Sequence, residues 1–149
     1  MTSPITLESN IDEIVENFSF LEEWEDRYGY LIELGKALTP LADEQLVDAN
    51  KVKGCVSQVW VIAGTEDHNG EKRMHFRGKS DAHIVSGLVA IALVLFSGKT
   101  PDEILKTDEN AVFQSIGLEE HLTPQRANGL RSMVQRLKTL AAKEIQART

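Results

Sequence analysis

The chain has 149 residues, of which 42% are apolar and 26% charged, with a formal net charge of -7. That length suits one domain able to bury roughly two thirds of its unfolded surface without a staple, and the composition is that of an ordinary soluble globular protein rather than a disordered or fibrous one. The acidic balance argues against a protein built to neutralise phosphates, so no nucleic-acid partner is expected, and one cysteine cannot close an internal disulfide.

From the N-terminus, Met1 to Asn10 lacks both a basic start and an apolar core, so no export signal is expected. Ile11, Ile14, Val15 and Phe18 recur at helical spacing, with Asn10 and Glu13 as a capping pair. Ser19 and Glu22 repeat that signature ahead of a second helix whose face is Trp24, Tyr28, Leu31 and Leu34 and which Gly35 can end. Its other side carries Glu23, Glu25, Asp26 and Glu33, which reads first as solvated surface and second as a docking face for a basic partner. Between Thr39 and Asn50 the periodicity fades and no element is assigned.

The run Lys51 to Ile62 holds the sole cysteine, Cys55, after Gly54 and before the strand-like Val59, Trp60, Val61 and Ile62. Glu66 to Gly70 forms a turn cluster, and Met74 and Phe76 alternating with His75 and Arg77 give a second strand, making an antiparallel hairpin. Val52 offers a short third strand. Ser80 or Asp81 then caps the apolar helix Ala82 to Phe96, which Ser97-Gly98 closes. This run is apolar nearly all round but short of the ~20 residues of a membrane span, so it belongs in the middle of a fold and no membrane anchor is expected. Thr100-Pro101 starts a short helix, Phe113 and Ile116 precede a stop at Gly117, and Thr123-Pro124 begins a last helix with Arg136, Lys138, Lys143 and Arg148 towards its negative end. The expected architecture is α+β: a small three-stranded antiparallel sheet, or a bare hairpin, packed among five to six helices in a single domain spanning 1–149.

For chemistry the candidate is Cys55. A thiol acts through its thiolate, and an unperturbed cysteine with a pKa of ~8.5 is mostly protonated at neutral pH. Lys51 and Lys53 are close in sequence and would favour the thiolate if they turned inward. The plainer reading is a small buried hydrophobe, the commonest fate of a free cysteine, although a Gly-Cys loop weighs against it. His68, His75, His83 and His121 are scattered without metal-site spacing, and each reads as a surface or capping residue. His121 could reach Cys55 in the fold, but no local signature marks a cysteine hydrolase. No metal is expected.

Four blocks in order resemble the SufE family of sulfur acceptors that work with a cysteine desulfurase in iron-sulfur cluster assembly: Tyr30 to Gly35, Gly54 to Trp60, Ser80 to Leu88, and His121 to Leu130. The resemblance implies a SufE/IscU-like fold. It also implies a cytoplasmic protein, monomeric or homodimeric, whose Cys55 takes persulfide sulfur from a SufS-like desulfurase and passes it to a SufBCD-like scaffold. No cofactor would reside on this chain, pyridoxal phosphate belonging to the desulfurase. Carried over position by position, Gly54, Ser57 and Gln58 shape the Cys55 loop. Arg126 comes near the sulfur to favour its anionic form, and Asp81 sets how readily the loop opens, against the plainer readings of an ion-pair partner and a helix cap. Val56 and His83 depart from the usual pattern, polar and small respectively, which leaves partner preference open. The competing functions are an independent cysteine-nucleophile enzyme and an interaction module with a structural cysteine.

Overall fold

A computed structural model describes residues 11–118, 120 and 122–147. Its elements are α1 (Ile11–Phe20), α2 (Trp24–Lys36), β1 (Val59–His68), β2 (Glu71–Ser80), α3 (His83–Phe96), α4 (Pro101–Lys106), α5 (Glu109–Ile116) and α6 (Pro124–Gln146). The unassigned stretch before the cysteine folds as two 3-10 turns, Asp43–Gln45 and Asp48–Asn50.

The centre is α3. Ten of its fourteen residues are buried, so every side of it must be covered. On one side lies the inner face of the hairpin, Val59 and Val61 of β1 with Met74 and Phe76 of β2. On another lies α2, and there the two backbones touch. A Cβ on Gly87 would fall on the Leu31 backbone, and one on Gly35 would come within 2.7 Å of the Ser86 Cβ. Gly35 is thus a contact residue inside α2, which runs on to Lys36, and not the stop its position suggests. The remaining flank of α3 is covered by α6, with α1 adding contacts of its own, while α4 packs on α6 and α5 on α1.

Several local expectations change on folding. Ser19 lies within α1, where its hydroxyl donates to the Glu16 carbonyl, so it does not cap α2, whose N-cap is Glu23 without a side-chain cap bond. The proposed cap Asn10 lies outside the described residues. The hairpin turn is Asn69-Gly70 alone, at φ of 53° and 84°, because this pair suits the two-residue turn that matches strand twist. Both strands therefore extend further than the turn cluster suggested, with Glu66 opposite Arg73 and Asp67 opposite Lys72.

Among the described residues the sheet has two strands, the bare hairpin rather than the three-stranded form. Val52 N–H donates to the Val59 carbonyl at 2.8 Å and Lys51 forms an isolated bridge with Trp60, but the chain then turns away at Gly54, whose φ is +91°. A left-handed residue three places after the bridge stops a ladder from growing. Thr100 caps α4 as part of a capping box, Gly117 ends α5 in the left-handed conformation, and Thr123 caps α6, as the sequence indicates.

Candidate functional site

The chain between the 3-10 turns and β1 is laid along one face of α6. Arg136 Nη2 donates to the Ala49 carbonyl at 2.7 Å, Gly54 sits against Ser132, and the Cys55 thiol donates to the Gly129 carbonyl at 3.5 Å. Positions 129, 132 and 136 are spaced by three and four, so they share a face. Two glycines permit the approach. A Cβ on Gly54 would lie 3.3 Å from the Ser132 Cβ and closer still to its hydroxyl. One on Gly129 would sit 3.5 Å from the sulfur.

Cys55 is partly buried beside a small cavity of about 30 Å³, room for a body the size of a water molecule. Buried Val85 and Leu88 from α3 and Met133 from α6 line it, together with the more exposed Val56, Ser57, Gln125 and Arg126. Val56 stands 81% exposed immediately next to the cysteine.

Burial pushes the Cys55 thiol above its ordinary pKa, because desolvation penalises the thiolate. The resting sulfur is a protonated thiol bonded to a carbonyl. Lys53 is exposed, and neither it nor Lys51 lines the cavity, so the two lysines do not activate the sulfur as their sequence proximity allowed.

The far end of the loop is held by a clasp. The Gln58 backbone N–H donates to Asp81 Oδ1 at 3.0 Å, its side-chain amide reaches Oδ2 at 3.5 Å, and the Asp81 N–H returns a bond to the Gln58 carbonyl at 3.2 Å. Asp81 is thus not the cap of α3. Ala82 occupies that position without a side-chain bond, while the Ser80 hydroxyl accepts from the Ala82 N–H.

Of the residues singled out from the sequence, Cys55, Ser57 and Arg126 meet at the cavity, Gly54 supplies the turn into it, and Gln58 pairs with Asp81 beside it. Gly129, Ser132, Met133, Val85 and Leu88 were not singled out for a role there. Gly129 carried a signal, since an isolated glycine inside a helix costs about 1 kcal/mol against alanine and so usually marks a close approach. His75 pairs with Glu66 at 3.1 Å on the hairpin, and His83 is exposed at the start of α3. His121 lies outside the described residues. Among the described residues no group of three or more His, Cys, Asp or Glu side chains could hold a metal ion, and no helix is long and apolar enough to cross a membrane.

Comparison with known proteins places the chain in a family. The family model SufE, described as an Fe-S metabolism associated domain, matches residues 12–141. The chain belongs to the SufE family. An uncharacterized SufE-like protein of Rhizobium meliloti is 49% identical over 139 residues, covering 93% of this chain and 99% of the relative. Another, of Rhizobium etli, is 52% identical over 130 residues, 87% of this chain and 88% of its own. The solution structure of a hypothetical protein from Thermus thermophilus is similar with a TM-score of 0.68 and 24% identity, covering 91% of this chain and 96% of that one, and it supports the fold. As a SufE-family protein the chain is associated with Fe-S metabolism, and its described residues form an α+β fold with a two-stranded antiparallel sheet.

Proposed function

We propose that this SufE-family protein is a sulfur carrier and an activator of a cysteine desulfurase, with Cys55 as its acceptor atom. The observation that carries the reading is the seat of the thiol: the sole cysteine, on a loop held by a few hydrogen bonds, beside a cavity with room for about one more atom of its size. In the transfer, the Cys55 thiolate attacks the outer sulfur of the desulfurase's cysteine persulfide. A new S–S bond forms on Cys55, the donor's S–S bond breaks, and the donor cysteine leaves as a thiolate that takes up the proton Cys55 has lost. The thiol of a downstream scaffold then attacks the outer sulfur in the same way.

The raised pKa fits a carrier better than an independent thiol enzyme. A stand-alone nucleophile needs its thiolate at rest, whereas a carrier benefits from a thiol that stays inert until its partner docks. Arg126, lining the cavity, is the group to stabilise the anionic outer sulfur once it is loaded. The Gln58–Asp81 clasp sets the ease with which the loop leaves α6. The partners proposed are a SufS-like desulfurase carrying its own pyridoxal phosphate and a SufBCD-like scaffold in the cytoplasm, served by a monomer or homodimer.

The test is the intact mass of the protein after incubation with the desulfurase, pyridoxal phosphate and cysteine without reductant. Wild type gains one sulfur atom that reductant removes, and Cys55→Ser gains none. If wild type gains none while the desulfurase itself carries persulfide, the carrier reading is wrong.

A further inference from the structure

The charge of the chain is divided unevenly. Residues 1–50 hold two basic and twelve acidic side chains, a net of -10, whereas residues 51–149 hold fourteen and eleven, a net of +3. Folding sets the acidic helix of the first part apart from the hairpin of the second. Since α3 packs against α2 on one side and the hairpin on another, the acidic helix α2 and the outer face of the sheet lie on different sides of the core.

That outer face is built by register. Lys51 bridges Trp60, and Trp60 pairs with Lys79, so the three stand in a row across the base of the hairpin, with Ile62 and Arg77 as the next pair. Directly opposed residues share a face and alternate residues change it; Val59 and Val61 point to the core, so Trp60 and Ile62 point away. The result is a half-exposed aromatic and aliphatic pair between cations. Of the flanking carboxylates, Asp81 bonds Gln58 and Glu66 pairs with His75, while exposed Asp48 stands at the rim, three residues before Lys51. The Arg77 guanidinium donates to the Pro40 carbonyl at 2.8 Å, which leaves Lys51 and Lys79 as the cations of this face whose side chains bond none of the described residues.

We infer that this strip, Lys51, Trp60, Ile62 and Lys79, is the docking surface for an acidic face of the protein that delivers sulfur to Cys55. The inference rests on the carrier reading and adds to it the chemistry of the partner. Both ends of the cysteine loop run directly into the strip, Lys51 before it and Trp60 after it. A donor has to be recognised while the thiol is still turned onto α6, so its landing site must be presented without Cys55. The strip meets that condition. A cationic patch on a protein whose first fifty residues carry a net -10 also orients an acidic partner before contact, since that acidic third repels it.

The experiment is single-turnover sulfur loading from persulfidated desulfurase, read by intact mass against protein concentration, for wild type, the double variant Lys51→Glu with Lys79→Glu, and the control Lys106→Glu on α4. The expected result is a rise of about ten-fold or more in the concentration for half-maximal loading in the double variant, with the rate at saturation unchanged. Salt should weaken loading of wild type far more than of the double variant. Thermal unfolding of all three should coincide. A double variant that loads like the control overturns the inference and leaves the carrier reading standing. Normal loading with impaired delivery to the scaffold also overturns it, by assigning the strip to the acceptor. Wild type that takes no sulfur at any concentration overturns both.

Discussion

Helix α3 and the loop that carries Cys55 are neighbours, yet they are held by different physics. The helix is fixed by packing: ten of its residues are buried, and its backbone lies against that of α2 at Gly87. The loop from Lys51 to Gln58 buries only Val52 and is held by a short set of hydrogen bonds, from Val52 to Val59, from Cys55 to Gly129 and between Gln58 and Asp81. Packing energy scales with area and cannot be released locally, whereas a few part-exposed hydrogen bonds, each worth about 1 kcal/mol net, can open without unfolding the domain. The proposed carrier role would use this division, a rigid frame keeping the partner surfaces in place while the loop opens.

The comparison is broken most severely from the side of the helix. Leu88→Ala removes a fully buried side chain that both packs the core and lines the sulfur cavity, and it should cost about 2–5 kcal/mol in urea unfolding. Gly54→Ala comes next. It forces a side chain into a left-handed residue pressed against Ser132, a strain of about 1–3 kcal/mol that the loop relieves by leaving α6. It should therefore raise the rate of thiol labelling by iodoacetamide out of proportion to its effect on unfolding. Asp81→Ala removes the clasp, with a stability loss of about 0.5–1.5 kcal/mol and faster labelling in the native state. Labelling that stays slow in both variants would mean that the loop is held by something other than these contacts.

The smallest effect is the pH dependence. The folded thiol has a raised pKa, so the native state holds this proton more tightly than the unfolded chain does. Its contribution to stability is fully present below the ordinary cysteine pKa and is lost as pH rises through the folded value. Wild type should accordingly lose a little stability on the alkaline side that Cys55→Ser retains. The midpoint of its labelling rate should lie above that of an unfolded cysteine peptide, and Asp81→Ala should bring it back towards the peptide value. Equal midpoints in wild type and peptide would contradict a desolvated resting thiol.

Much of this was legible in the chain itself. Local chemistry decides the caps at Thr100 and Thr123, the stop at Gly117 and the burial of the Ala82 to Phe96 run, because each depends on residues a few places apart or on apolar character alone. The sulfur site was legible as a Gly-Cys loop and as the blocks resembling the SufE family, which name Cys55, Asp81 and Arg126. What those residues touch was not. Asp81 looks like a helix cap in sequence, and only the register that puts Gln58 beside it turns the carboxylate into a clasp. Gly35 looks like a helix stop, and only the crossing of α2 and α3 makes it a contact. Lys51 and Lys53 look like activators of the thiol, but the loop presents the sulfur to α6 and leaves them outside the cavity. The sequence by itself determines most of the helices, the hairpin and the choice of Cys55 as the candidate residue, the first two from local preference and the last from its place in a Gly-Cys loop and the family resemblance. Tertiary structure alone decides that the thiol rests against Gly129 and that its pKa is raised, because desolvation and the partner of a thiol are set by chain segments 74 residues apart.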